Sequence, residues 1–356
     1  MYLEYFGLSA HPFRLTPDTD FLFMSEPHKR AKAYMDYTVW NREGFVVITG
    51  EIGCGKTTLI QKLLSELDEN VVVAKVFQTQ LDEVEFLQAV LVEFGFNPFN
   101  AKKVELLDML NTFIIEQFLQ GKQIVLIVDD AHNLSTKVLE EIRMLAGLET
   151  RKEKILHVIL VGQPQLNDVL DHPEMEQLMQ RVKLRYYIRA LSEKELGAYV
   201  RHRLSIVGAK NGTLFPLETL PRIYKYAGGI PRLINTLCDT VLTCAYADNL
   251  PGITAEVVEA AAKELQWPPH SERLEKRRLN MKRGPVEGGV QGILREQSQM
   301  LAAIADQVGK IEGRSPALES IGKTLAAIEM HLRNLAHGQG MAPRSDSTAN
   351  PRQKSG

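Results

Sequence analysis

The sequence predicts an α/β fold in which a parallel sheet carries helices on both faces, followed by a small all-helical domain and a partly disordered helical tail. Three observations predict it. Five short apolar runs fall between residues 45 and 191, separated by segments of helical periodicity. The runs are nearly continuous in Val, Ile and Leu, as strands buried on both faces are. From about residue 192 the strand-like runs stop and four helical patterns follow.

Taken in order, residues 1–40 form a mixed lead-in rich in aromatics: Tyr2, Tyr5, Phe6, Phe13, Phe21 and Phe23. The core region, 41–191, holds the runs "FVVIT" (45–49), "VVVAKVF" (71–77), "IVLIVD" (124–129), "ILHVILVG" (155–162) and "LRYYIRAL" (184–191). Intervening segments such as "TTLIQKLLSEL" and "EFLQAVLVEFGF" have the spacing of amphipathic helices. Residues 192–266 read as four helices, with Ser192 and Thr254 as N-caps and Pro216 and Pro231 near first turns.

A basic, Gly-rich linker follows at 267–289, including "ERLEKRRLNMKRG" (272–284). Within 290–336, Val290, Leu294, Gln297, Leu301, Ile304, Val308 and Ile311 alternate spacings of four and three. Leu318, Ile321, Leu325, Ile328, Leu332 and Leu335 do the same after Pro316. The pattern fits either a self-associating coiled coil or an amphipathic helix resting on the main body. Residues 337–356 have almost nothing to bury and are expected to be disordered.

Composition narrows the function. The 356 residues are 44% hydrophobic and 24% charged, with a net charge of −2. Binding of a polyanion by the molecule as a whole is therefore not expected, and any nucleic-acid contact would need a local patch. The start of the chain has neither a basic n-region nor a long apolar run, so no signal peptide is expected. No run of about 18 apolar residues predicts a membrane span. Cys54, Cys238 and Cys244 lack metal-like clustering and read as reduced thiols of a cytoplasmic protein.

The chemistry is carried by "GEIGCGKT", which fits G-x-x-x-x-G-K-[ST] between a strand-like run and a helical one. Gly50, Glu51, Ile52, Gly53, Cys54, Gly55, Lys56, Thr57 and the following Thr58 would wrap a phosphate chain with backbone N–H groups. Glycine permits both the dihedrals and the close approach. The helix starting near Lys56 adds its positive end, and Lys56 a charge for the β/γ-phosphates. Thr57 supplies a hydroxyl for Mg²⁺. Cys54 reads as a small loop filler in preference to a redox thiol.

A second stretch, "IVLIVDDAHNL", places two acids at a strand tip. Asp129 is positioned to hold Mg²⁺ as a Walker-B aspartate does, and Asp130 to orient or deprotonate the attacking water. The expected ligands are thus ATP and Mg²⁺.

"FGLSAHPFRLTPDTDFLFMSEPHKRA", "GEIGCGKTTL", "VDDAHNL", "LVGQPQL", "QRVKLRYYIRAL" and "GGIPRLINTLCD" together resemble the AAA+ ATPases of the general-secretion-pathway A (ExeA-like) type. Relatives in exosortase, exopolysaccharide and pilus-biogenesis loci belong to the same group. The resemblance covers about residues 1–266. It implies a P-loop NTPase (AAA+) core followed by a helical lid, with the aromatic lead-in closing over the adenine.

By the same resemblance Gln163 is the sensor-1 residue and Arg181 an arginine finger acting across a subunit boundary, with Arg185 as its rival. Arg232 is the sensor-2 arginine, which Gly228 and Gly229 bring into reach. The family usually has Asp-Glu where this chain has Asp129-Asp130, which implies a slow ATPase. The secretion-type members also carry a membrane span and a peptidoglycan-binding domain, neither of which follows here.

The functions that follow are three. The first is an oligomeric ATPase assisting an envelope-associated secretion, polysaccharide-export or pilus system, peripheral at the inner membrane through a partner. The second is a DNA-associated ATPase of the transposition-regulator or origin-recognition kind, using Arg273, Lys276, Arg277, Arg278, Lys282 and Arg283. The third is a catalytically weak ATP-dependent scaffold.

Overall fold

All five apolar runs become strands in the computed structural model, which describes residues 2–41, 44–150, 153–209 and 214–282. They are β1 (Phe45–Gly50), β2 (Val71–Val76), β3 (Gln123–Val128), β4 (Leu156–Gly162) and β5 (Val182–Ile188). Every pairing is parallel, and the order across the sheet is β2-β3-β4-β1-β5. β1 and β4 are buried along their whole length, as their nearly continuous apolar sequences predict. The last run is displaced from its sequence position. β5 begins two residues before "LRYYIRAL" and ends at Ile188, because Leu191 leaves the ladder and donates its N–H to Gly229 O at 2.9 Å.

Side chains of β3 alternate between two cores, as the two-residue period of a strand demands. Ile124, Leu126 and Val128 face one cluster, whereas Val125 and Ile127 face the other. On the first face lie α4 (Glu83–Glu93), α5 (Lys103–Leu119) and α6 (Thr136–Leu145), which bury Phe86, Leu87, Leu106, Leu110 and Ile142. On the second lie α2 (Glu26–Trp40) and α3 (Lys56–Glu66), which bury Met35, Val39, Leu59, Ile60 and Leu63. α1 (Tyr2–Phe6) precedes them in the chain, and α7 (Gln165–Leu170) and α8 (Glu176–Met179) fill the connection from β4 to β5. The fold is therefore α/β, with helices on both faces of a parallel sheet.

Four helices follow: α9 (Glu193–Ile206), α10 (Leu220–Ala227), α11 (Pro231–Ala247) and α12 (Ala255–Glu264). Ser192 caps α9 with a full capping box closed by Glu195, and Pro231 opens α11 at its first position. Thr254 occupies the cap position of α12 without a side-chain cap bond. Pro216 precedes a short 3₁₀ turn at Leu217–Thr219, before α10 starts.

These helices share a third apolar cluster with the lead-in, which contributes Tyr2, Leu8, Phe13 and Phe21. The lead-in is tied down by polar contacts as well. Arg203, 7% exposed, donates from Nε to Pro12 O (2.6 Å) and from Nη2 to Arg14 O (3.2 Å). Asn235 Nδ2 donates to Arg14 O at 3.3 Å, and Asn235 Oδ1 accepts from Tyr199 Oη at 2.7 Å.

The described residues up to Glu272 make one compact unit and Arg273 begins a second; the last described helix is α13 (His270–Lys282). The expected heptad helices at 290–336, the polar tail at 337–356 and the end of the linker lie outside the described residues. Among the described residues no helix is long and apolar enough to cross a membrane.

Candidate functional site

Because the strands are all parallel, the loops after β1, β3 and β4 open at the same carboxyl edge of the sheet, and the order β3-β4-β1 makes them neighbours there. The loop after β1 is the glycine turn. Gly53 and Gly55 take φ of +83° and +86°, the left-handed region that costs other residues about 1–2 kcal/mol. Gly53 is also fixed by proximity: a Cβ there would lie 2.5 Å from the Cβ of Arg232. The Arg232 N–H, on the first turn of α11, donates to Gly53 O at 3.1 Å.

Lys56 is the first residue of α3. Its Nζ donates to Gly50 O at 2.7 Å and Glu51 O at 3.0 Å, so the loop curls around its own cation. Burial lowers the pKa of this amine. Cys54 is 1% exposed and burial pushes its thiol up to about 11. The thiol is therefore protonated at neutral pH, which favours the loop-filler reading over the redox one.

Beyond β3, Asp129 is buried and accepts from Thr57 Oγ1 at 2.8 Å and from the Asp130 N–H at 3.0 Å. Burial raises its pKa against those hydrogen bonds. A hydroxyl and a carboxylate oxygen in contact at the mouth of the phosphate loop are the hard donors that Mg²⁺ takes, so the residues present fit the ion. No cluster of three or more His, Cys, Asp or Glu among the described residues is placed to hold a metal. The rest of the ion's shell would come from phosphates and water.

Asp130 is left-handed, with φ +51°, and directs an exposed carboxylate outward. Its backbone is pinned, since Asp130 O accepts from Thr79 Oγ1 (3.0 Å) and from Asn133 N–H (3.1 Å). At the end of β4, Gln163 Nε2 donates to His132 Nε2 at 2.6 Å.

These pieces surround a cleft of about 420 Å³. Of the residues that the sequence singles out, Ile52, Gly53, Gly55, Lys56, Thr57, Thr58, Asp130, Gln163 and Arg232 line it. Gly50, Glu51 and Cys54 form the back of the loop, and Asp129 sits behind Thr57. The lead-in supplies one wall from Arg14 to Asp18 and from Phe21 to Phe23. Gly228 and Gly229, at φ +60° and +75°, make the turn between α10 and the helix that carries Arg232.

Arg181 does not line the cleft; its Nη1 donates to Arg143 O at 3.0 Å. Arg185 is held by Asp171 and Asn167, both at 2.7 Å.

Tyr199, Arg203, Asn235 and His28 also line the cleft and escaped the sequence reading. His28, 3% exposed on α2, donates from Nε2 to Cys54 O at 2.8 Å, while its Nδ1 accepts from Ser25 Oγ at 2.6 Å. Burial holds its pKa below the usual imidazole value, so the ring is neutral with its proton on Nε2. Fixing the Cys54 carbonyl outward keeps the neighbouring N–H groups aimed into the loop. His28→Ala is expected to weaken nucleotide binding about tenfold through a loosened loop. His28→Gln, which retains a donor, should restore most of it; titration of a fluorescent ATP analogue reads both.

The parallel sheet, the phosphate loop on a helix start and the Asp129–Thr57 pair define a P-loop NTPase of the AAA+ class. A family model described as an AAA domain matches residues 40–170. General secretion pathway protein A of Aeromonas hydrophila is 38% identical over 266 residues, which is 74% of this chain and 48% of that protein. Over those residues the chain is similar to the AAA+ ATPases of the general-secretion-pathway A type, and it spans about half the length of the curated relative.

Among solved structures, the ORC2 protein of Aeropyrum pernix in its ADPNP-ADP complexes aligns with a TM-score of 0.57 at 14% identity. That alignment covers 92% of this chain and 90% of the other. Cdc6p of Pyrobaculum aerophilum aligns with a TM-score of 0.56 at 14% identity, covering 94% and 91%. At this identity the likeness is one of fold.

Proposed function

We propose that the chain binds ATP with Mg²⁺ and hydrolyses it as an oligomeric AAA+ switch or motor. Its task in this reading is the assembly or regulation of an envelope-associated secretion, polysaccharide-export or pilus system, from the cytoplasmic side and through a partner at the inner membrane. The convergence of Lys56, Thr57, Asp130, Gln163 and Arg232 on one cleft carries the biochemical half. The likeness to general secretion pathway protein A supports the cellular half.

The roles follow from placement. Backbone N–H groups of residues 50–57 and the start of α3 bind the phosphates. Lys56 exchanges its loop carbonyls for β/γ-phosphate oxygens. Thr57 and Asp129 would hold Mg²⁺, which when bound neutralises charge on those oxygens. Asp130 directs the attacking water, Gln163 senses the γ-phosphate, and Arg232 joins the lid to it. The lead-in wall closes over the adenine.

Asp130 is one methylene shorter than the glutamate usual in the family. Its carboxylate is set back by roughly 1 Å, a displacement that costs on the order of 10²-fold in rate. A slow enzyme whose ATP-bound state persists as an assembly signal follows. Steady-state phosphate release should rise about tenfold or more in Asp130→Glu; unchanged turnover would remove the basis for slow hydrolysis.

The basic residues Arg273, Lys276, Arg277 and Arg278 of α13 favour a second reading, a DNA-associated ATPase. The same assay separates the two. Stimulation by duplex DNA that is lost steeply with salt supports the second, and indifference to DNA supports the first. A homogeneous oligomer that binds ATP without measurable turnover would point instead to a scaffold.

A further inference from the structure

The ring of His132 is held beside the Asp130 carboxylate with one polar atom unused. Its Nδ1 is buried and has no hydrogen-bond partner. The nearest acid is Asp130, whose Oδ1 lies 3.9 Å from it, beyond hydrogen-bonding reach. The other ring nitrogen is committed: the Gln163 amide donates to Nε2 at 2.6 Å, which places the single proton of the neutral ring on Nδ1. Burial lowers the pKa of this imidazole and favours that neutral form.

The surroundings leave one degree of freedom. His132 belongs to a 3₁₀ turn at Ala131–Asn133 that packs against the end of β4, where a Cβ on Gly162 would stand 3.2 Å from the backbone nitrogen of His132. The Asp130 backbone is pinned by Thr79 and Asn133, whereas its side chain is 58% exposed. Only the carboxylate can move to close the gap.

We infer that His132 is a positioning residue for hydrolysis: its Nδ1–H seats the Asp130 carboxylate against the attacking water, and Gln163 holds the ring in the tautomer that can do so. The inference rests on the hydrolytic reading above. It makes Gln163, His132 and Asp130 a single chain of hydrogen bonds from the γ-phosphate-facing end of β4 to the shortened acid. A side chain that lacks the usual methylene thereby acquires a fixed orientation from its neighbour. A buried donor left unpaired is costly, so the ring favours any state in which the Asp130 carboxylate accepts a hydrogen bond from it.

The test measures kcat, KM and the affinity for a fluorescent ATP analogue in five variants of the full chain: His132→Ala, His132→Asn, His132→Gln, Asp130→Asn and the Asp130→Asn, His132→Ala double variant. His132→Ala should lower kcat by roughly ten- to a hundredfold, with KM and analogue affinity within about twofold of wild type. His132→Asn carries an amide N–H at the level of Nδ1 and should recover most of kcat. His132→Gln fills more of the imidazole's volume but carries its amide at the level of Nε2, and should not.

The double variant should be no slower than Asp130→Asn alone, since the two residues act as one unit. Wild-type kcat in His132→Ala, equal losses in the Asn and Gln variants, or additive losses in the double variant would each overturn the inference. No measurable turnover by the wild-type chain would overturn the hydrolytic reading and this inference with it, whereas full turnover in Asp130→Asn would leave hydrolysis standing and overturn the inference. Loss in Asp130→Asn with none in His132→Ala would overturn the inference alone.

Discussion

Lys56→Ala is expected to abolish Mg-ATP binding at concentrations where wild type saturates. The amine sits 8% exposed at the foot of the cleft, with two loop carbonyls as its partners. Carbonyls are neutral acceptors, and phosphate oxygens are charged ones that bind an ammonium about twice as strongly. Burial lowers the pKa of the amine, so a triphosphate beside it is expected to favour its charged form. Two charge-assisted bonds at about 1.5–3 kcal/mol each correspond to a loss of a hundredfold or more. Calorimetric titration with ATP and Mg²⁺ checks this. Circular dichroism on the same sample separates lost binding from lost folding, since Lys56 also ties the loop to itself. Wild-type affinity in a folded variant would sink the phosphate-loop assignment.

The parts legible in the sequence are those whose signal is local. A strand buried on both faces is apolar at nearly every position, so "FVVIT" and "HVILVG", polar only at Thr49 and His157, announce central strands. The phosphate loop is legible because one phosphate chain dictates the spacing from Gly50 to Thr57. The edge strand β5 is wetted on one face and mixes Lys183, Arg185 and Tyr187 with apolar residues, which blurs its ends. The lead-in was opaque for a different reason. Phe13 and Phe21 look alike in sequence whether they cover a base or fill a core. In the fold both enter the core of the helical group, and Phe21 also faces the cleft.

Arg203 was hidden by its neighbours, because "RHR" on an amphipathic helix reads as a solvated face. Its burial depends on the lead-in carbonyls of Pro12 and Arg14, contributed from about 190 residues away in the chain. His28 left one faint trace: Ser25 lies three residues before it at the start of α2, the spacing at which a hydroxyl reaches an imidazole. His132 left none, since its relation to Gln163 exists only once β3 and β4 lie side by side.

Arg181→Ala is expected to lower ATP turnover by about 10³-fold or more while leaving ATP affinity nearly unchanged. The guanidinium does not line the cleft of its own chain, and among the described residues it donates to a neutral carbonyl, Arg143 O. It is thus anchored lightly enough to engage the γ-phosphate of a neighbouring copy, where it would neutralise charge developing in the transition state. Arg185 is less suited to the task, because Asp171 already pairs it and Asn167 holds its second amine. Its alanine variant should cost far less.

A mixing experiment gives the sharper test. Arg181→Ala and Asp130→Asn subunits should each be inactive alone, by loss of the finger and of the water-directing acid respectively. In a mixed oligomer, an Asp130→Asn subunit lends its intact Arg181 to an Arg181→Ala neighbour whose Asp130 is intact, and turnover should reappear. A finger acting within its own chain predicts no recovery at any ratio, and that result would remove the subunit junction from the catalytic site.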